Sequence, residues 1–348
     1  MRHGYTDINI TEFAKIIMDE FIGVPSTRKI KKKLNMGSDN AGRVQAKIKE
    51  LLMSKKNNNV KITGLKKEDD EINVDQIFNS LLSKQDELED RLHKKYNQKI
   101  EIKEKKAFSI SCISDCHIGN PGVDYRALRD DCERINATDG MYAILAGDLH
   151  DNWIIKGLQF LQQQQAVNFP TEIALVKWLF QTLNNSLVGY VSGNHDNWTK
   201  KLAGWDFLKD CICGESLYGS DEINFTIHAD NVNEKYKIRH NFKGKSIYNP
   251  THGMERDLKF GDDIWDVAVQ GHTHTGTLLR ESIYKHKKRF CVLLGTYKFY
   301  DAFQEQIGFP RTLRNNGCMT IVYDQEGQKY FFDNTTQAEK YLRYLRGE

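Results

Sequence analysis

Five short motifs built from Asp, Asn and His each follow directly on an apolar, strand-like run, and this arrangement constrains the chain most. Asp115-Cys116-His117 comes soon after Ala107–Ile113, and Gly147-Asp148-Leu149-His150-Asp151 follows Tyr142–Ala146. Gly193-Asn194-His195-Asp196 follows Leu187–Ser192, His240 follows Tyr236–Arg239, and Gly271-His272-Thr273-His274 follows Trp265–Gln270. With Phe290–Leu294, these short runs bounded by turn or charged residues predict the inner strands of an α/β domain. Side chains at the carboxyl ends of successive strands converge on one crevice. Alternation along extended backbone predicts Asp115 and His117 on one side, with Cys116 turned away, and His272 beside His274.

Such a gathering of carboxylates, amide and imidazoles is costly to bury without a counter-charge, which divalent cations supply. Imidazole nitrogen mixed with carboxylate and amide oxygen suits manganese, iron or zinc better than calcium.

In order and composition these motifs resemble the calcineurin-like metallophosphoesterases, over roughly residues 107 to 300. The resemblance implies a four-layer α/β/β/α sandwich around two metal ions, with phosphorus attacked by water that both ions acidify. It implies Asp115, His117 and His274 on one ion, Asn194 and His272 on the other, and Asp148 between them. His195 matches the histidine that contacts phosphate and protonates the leaving oxygen, with Asp196 orienting it. The family also needs a histidine between the third and fifth motifs, where both His240 and His252 lie. His240 ends a strand and is favoured; His252 is then a substrate contact or structural. Arg239 and Arg311 are candidate phosphate contacts, Arg311 more readily a surface ion pair. His150 and Asp151 are further near-site candidates.

The superfamily's protein phosphatases carry Arg after the second Asp of the second motif, where this chain has Asn152-Trp153. Together with the Gly-Asn-His-Asp form of the third motif, this leans toward the nuclease and phosphodiesterase branches, nearest phage and bacterial members. The likeness to DNA-repair exonucleases of the family is confined to the metal motifs. Such nucleases often work with an ATPase subunit, but no residue here identifies that contact.

A net charge of +3 conceals an uneven distribution: Pro25 to Lys67 holds thirteen Lys/Arg against Asp39 and Glu50. That segment therefore sums to 13 − 2 = +11 and the remainder to 3 − 11 = −8. A basic front end on an acidic body predicts a polyanion partner, with a solvated lysine-rich surface as the plainer reading. Helix-like spacing covers residues 8–22, Arg28 to Leu34, and Ala41 to Met53, with a Gly-containing turn before the last. This is the outline of a DNA-binding helix-turn-helix, or of a simple helical hairpin. Lys31, Lys32, Lys33, Arg43 and Lys47 are the nucleic-acid candidates. Lys55 to Asn73 reads as a polar linker. Val74 to Tyr96 is an amphipathic helix, either a short coiled coil or, as the favoured expectation, packed within the chain.

The expected organisation is a helical module over 1–56, linker and helix over 57–98, and the metallophosphoesterase domain over 99–348. Cys318–Asp324 and Gln328–Phe332 predict a closing β-hairpin. The 348 residues are 39% hydrophobic and 28% charged, and no run approaches the ~18 apolar residues of a spanning helix. With no signal-like N-terminus, the expected location is cytoplasmic, away from membranes. Seven scattered cysteines argue against a disulfide scaffold. The leading reading is a two-metal phosphodiesterase or nuclease acting on DNA. A phosphatase or phosphodiesterase for small nucleotides is the alternative, and a catalytically inactive DNA-binding regulator is a third. A homo-oligomer is compatible with either enzyme.

Overall fold

The computed structural model describes residues 7–21, 24–56, 74–103, 105–211, 215–244, 246–301, 305, 306, 308 and 317–348. Residues 57–73 of the expected linker, Arg311 and Cys213 lie outside the described residues. The chain divides into two compact units, one ending at Phe78 and the other running from Asn79.

In the first unit, α1 (Asp7–Glu20), α2 (Thr27–Leu34) and α3 (Ser38–Lys56) share a small core. Ile10, Ala14 and Ile17 on α1 meet Ala41, Val44 and Ile48 on α3, each set spaced along one helix face. Asn35 ends α2 with left-handed backbone (φ 49°), so the chain reverses before Met36, which is buried in the same core. A helix, a tight turn and a second helix are therefore present, α3 starting three residues before the expected Ala41. The next helix, α4 (Val74–Tyr96), spans the division between the units. None of its residues is buried, so the expected packing of its apolar stripe within the chain is not what the structure shows.

The second unit contains β1 (Gln98–Glu101), β2 (Phe108–Ile113), α5 (Tyr125–Ala137), β3 (Met141–Leu145), α6 (Phe169–Leu183) and β4 (Leu187–Val191). It continues through α7 (Asn194–Ala203), α8 (Phe207–Asp210), β5 (Leu217–Gly219), β6 (Glu222–Ala229) and β7 (Val232–Arg239). The last elements are α9 (His252–Phe260), β8 (Val267–Gln270), β9 (Leu278–Tyr284), β10 (Lys287–Leu293), β11 (Cys318–Tyr323), β12 (Lys329–Phe332) and α10 (Thr335–Arg346).

These strands form two six-stranded sheets, ordered β1-β6-β7-β8-β10-β9 and β12-β11-β2-β3-β4-β5. Within them β7-β8-β10 and β2-β3-β4-β5 run parallel, so each set ends together. Alternation assigns the faces. Phe108, Ile110 and Cys112 of β2 join Met319, Ile321 and Tyr323 of β11 between the sheets, against Phe225, Tyr236 and Val267. On the outer faces, Val322 packs with helices α5, α6 and α10, while Ala268, Cys291 and Leu293 pack with α9. The layers are therefore α/β/β/α.

Of the polar outer residues of β2, Ser111 is satisfied across the strand pair, its Oγ lying 2.9 Å from Thr320 Oγ1. Truncating Ile110, fully buried between the sheets, would cost about 2–5 kcal/mol. The six described cysteines are all buried. No helix among the described residues is long and apolar enough to cross a membrane.

Candidate metal centre

The motif residues reach one crevice by leaving the strands, not by extending them. Asp115 (φ 52°), His117 (φ 44°), Asp148 (φ 50°), His272 (φ 72°) and His274 (φ 53°) all have left-handed backbone. The expected strand alternation is thus replaced by tight turns beyond Ile113 and Gln270, which keep Asp115 with His117 but send His272 and His274 to different donor groups. Held conformations of this kind cost about 1–3 kcal/mol each and persist where surrounding contacts enforce them. The enforcing contacts are visible: Asp115 N donates to Gly147 O at 3.0 Å and His117 N to Asp148 O at 3.0 Å. Two glycines let the loops close. A Cβ on Gly193 would stand 2.0 Å from Asp148 Oδ1, and one on Gly271 would stand 2.0 Å from Ser114 Oγ and 2.2 Å from Asp115 Oδ2.

Two donor groups result, Asp115 with His117 and His274, and Asp148 with His240 and His272. In the first, His274 Nε2 lies 2.8 Å from Asp115 Oδ1 and 3.0 Å from His117 Nε2. In the second, His240 Nε2 lies 3.0 Å from Asp148 Oδ2 and 3.3 Å from His272 Nδ1. His272 links them, its backbone N–H donating to Asp115 Oδ2 at 2.9 Å. Asn194, between Gly193 and His195, which both approach Asp148, has a buried Oδ1 with no hydrogen-bond partner among the described residues. An orphaned acceptor next to converging imidazole nitrogens and carboxylates is the donor chemistry of divalent cation sites, and these residues fit them.

The outward nitrogens of the ligand histidines are fixed. His240 Nδ1 donates to Ala146 O at 2.8 Å, and His117 Nδ1 donates to Asp151 Oδ1 at 2.8 Å, so each turns Nε2 inward. Burial alone would lower both imidazoles, yet Asp148 and Asp115 raise His240 to about 10. Hydrogen bonding of the His117 ring to the Asp115 and Asp151 carboxylates likewise outweighs burial and Lys298, lifting His117 to about 9. Their neighbours move the other way: burial lowers His274 and His272, and His240 adds to the effect on His272. Each group thus pairs one raised imidazole, His117 or His240, with one lowered imidazole, His274 or His272. Asp115 and Asp148 stay ionised well below the usual carboxylate range, burial being outweighed chiefly by His240.

His195 and Asp151 join His117 in a third cluster. His195 Nδ1 donates to the Asp151 carbonyl, and its ring packs against both Trp153 and Trp198, with centroids 4.9 and 4.0 Å away. Burial pushes this imidazole down to about 3, so it is neutral with its lone pair on Nε2. Asp196 does not orient it. The Asp196 carboxylate instead accepts from Gly193 N at 2.7 Å and Leu149 N at 3.1 Å, tying the second motif to the start of α7.

Several other expected residues lie elsewhere. His252 is exposed at the start of α9 and belongs to none of the three clusters, whereas His240 does. Arg239 pairs with Glu222 at 2.6 Å and lies over Phe242. His150 is fully buried, with Nδ1 3.1 Å from Glu172 Oε1 and its ring against Phe207, which makes it structural.

Sequence reasoning missed Lys298, which is 3% exposed and lies 3.1 Å from Asp151 Oδ1 and 2.6 Å from Asp301 Oδ2. It also missed the Trp153 indole, donating to Asp151 Oδ2 at 2.6 Å. The available signal for Lys298 was its position soon after β10, where the other site residues also leave their sheets.

In motif order, strand position and donor set, the chain resembles the calcineurin-like metallophosphoesterases. No family model matches the sequence. No curated protein matches it either. Among solved structures it is similar to Vps29 of Chaetomium thermophilum, with 11% identity, a TM-score of 0.32, and coverage of 65% of this chain and 95% of that one. It is also similar to the calcineurin-like phosphoesterase YfkN of Bacillus subtilis, with 12% identity, a TM-score of 0.34, and coverage of 69% and 99%.

Proposed function

We propose that the chain is a metal-dependent phosphodiesterase that takes two divalent cations and acts on DNA. The observation that carries the hydrolase reading is the pair of linked Asp/His groups beside the unsatisfied Asn194 Oδ1. Asp115, His117 and His274 would hold one cation, and Asp148, Asn194, His240 and His272 the other. Manganese suits this mixture of nitrogen and oxygen donors. Once bound, the cations would neutralise charge on the phosphoryl oxygens and make the attacking water more acidic.

The chain's own residues do the rest. Asp151 fixes His117 through its carboxylate and His195 through its carbonyl, so one residue sets the aim of both rings. With Nδ1 committed, His195 presents Nε2 as the atom that takes or returns a proton. An anionic phosphate beside it favours the imidazolium, which then delivers that proton to the leaving oxygen.

The DNA assignment is supported by the basic helical module. Lys32 is exposed, and Lys33 and Lys47 make surface pairs with Glu20 and Glu50. Such pairs are worth about 0–1 kcal/mol, so a phosphate readily replaces them. A nucleic-acid module tethered to a phosphodiesterase raises the local substrate concentration.

Hydrolysis with manganese on bis-p-nitrophenyl phosphate, p-nitrophenyl phosphate and labelled single- and double-stranded DNA tests this reading. A chelator control and Asp148→Asn accompany each substrate. Cleavage of the diester and DNA, lost in both controls, is the expected result. Turnover of the monoester alone would make the chain a phosphatase, and DNA binding without any hydrolysis would make it a regulator. Removing Lys31, Lys32, Lys33, Arg43 and Lys47 should flatten the salt dependence of DNA binding by about 0.9 in log–log slope for each phosphate left unneutralised.

A further inference from the structure

The amphipathic helix α4 has an apolar stripe that is left exposed among the described residues. Phe78 is 60% exposed, Leu81 54% and Leu82 53%, and no residue of the helix is buried. Assigning core heptad positions a and d along the stripe gives Val74 (d), Phe78 (a), Leu81 (d), Gln85 (a), Leu88 (d) and Leu92 (a). The outward positions of that register, among them Ser80, Ser83, Asp86, Glu87 and Asp90, are polar throughout. The flanking positions are sorted by sign. Position g carries the bases Lys84 and Arg91, and position e carries the acids Asp75 and Glu89.

This sorting identifies the partner. In a parallel pair of helices each g residue faces the e residue five positions on in the other chain. Lys84 then meets Glu89, and Ile77 meets Leu82, twice each by symmetry. An antiparallel pair instead sets g against g and e against e, opposing base with base and acid with acid. Gln85, the one polar residue of the seam from Val74 to Leu92, lies opposite its own copy only in the parallel, in-register arrangement. A polar residue at a single a position specifies register at some cost in stability.

We propose that α4 is the dimerisation element of this protein, pairing with α4 of a second copy as a parallel two-stranded coiled coil. Nearly three heptads make a modest seam, so the dimer depends on protein concentration. In this arrangement the N-termini of the two α4 helices lie at the same end of the coil.

Sedimentation equilibrium of the full chain over a range of concentrations tests the proposal. The expected result is a monomer–dimer equilibrium that Leu81→Glu with Leu88→Glu shifts wholly to monomer, with unchanged far-UV circular dichroism. Lys84→Glu or Glu89→Lys alone should weaken the dimer several-fold, and the two together should restore it. Gln85→Cys should cross-link two chains under mild oxidation, measured against the unaltered chain because the six described native cysteines are buried. A chain that stays monomeric at every concentration overturns the proposal, as does a dimer indifferent to the Leu81 and Leu88 changes. A dimer lost with those leucines but lacking both the Gln85→Cys cross-link and the charge rescue overturns the parallel arrangement.

Discussion

Asp151 Oδ1 receives His117 Nδ1 at 2.8 Å and Lys298 Nζ at 3.1 Å, so a buried lysine and a ligand histidine share one carboxylate oxygen. Burial works against the Lys298 charge, but Asp151 and Asp301 outweigh it and raise its pKa. Lys298 thereby keeps Asp151 an acceptor, and Asp151 keeps His117 Nε2 aimed at the cation position. Lys298→Met should lower manganese affinity and turnover by about 10–100-fold, the usual effect of losing a partner behind a metal ligand. Calorimetric titration of the folded variant checks this, and an unchanged affinity would remove Lys298 from the site.

His240 and His252 make opposite predictions from nearly the same sequence signal. His240→Ala removes a nitrogen 3.0 Å from Asp148 Oδ2 and strips that buried carboxylate of its main counter-charge. Hydrolysis should fall at least ~100-fold, with cation binding weakened in parallel. His252→Ala, at an exposed helix start, should leave cation affinity within about twofold of the parent. Parallel titration of both variants decides the matter.

Gly193 touches the same carboxylate from the other side. A Cβ there would overlap Asp148 Oδ1, and a shifted Asp148 can no longer sit with His240 and His272. Gly193→Ala should cost about 1–3 kcal/mol of stability and abolish hydrolysis. Gly37→Ala, where a Cβ meets nothing within 4 Å, should melt like the parent. Thermal melts of both variants, with activity on the diester, check the contrast.

The parts of this architecture that were legible in advance share a physical origin. β2, β3, β4 and β8 are buried on both faces and so read as continuous apolar runs. β6 was missed because Glu222, Asn224 and Thr226 interrupt its apolar residues, although Glu222 and Asn224 are buried. β9 carries Arg280 and Glu281 on a sheet edge and looks like a loop, and β5 is only three residues long. Asp115, His117, Asp148, His240, His272 and His274 were legible because their chemistry recurs at every strand end. Lys298 and Trp153 were not, because each acts through Asp151 and neither repeats. The α4 stripe was visible, but its exposure could be known only from the packing of the rest.

The charge held in the cation-free centre predicts a dependence of stability on pH. His117 and His240 are raised from 6.5 to about 9 and about 10, so each binds more protons folded than unfolded above neutrality. Their stabilising contribution is complete below pH 6.5 and is lost as pH rises through those folded values. Chelated protein should therefore melt at progressively lower temperature from pH 7 toward 9. Cations need the neutral imidazoles and must displace those protons, so the affinity for manganese rises over the same range. The gap in Tm between manganese-loaded and chelated protein should then widen with pH. Melts at pH 6.5, 7.5 and 8.5, with titrations in buffers of different ionisation heat to count released protons, measure both effects. A gap that narrows with pH, or cation binding without proton release, would mean that His117 and His240 are not the charged partners of Asp115 and Asp148.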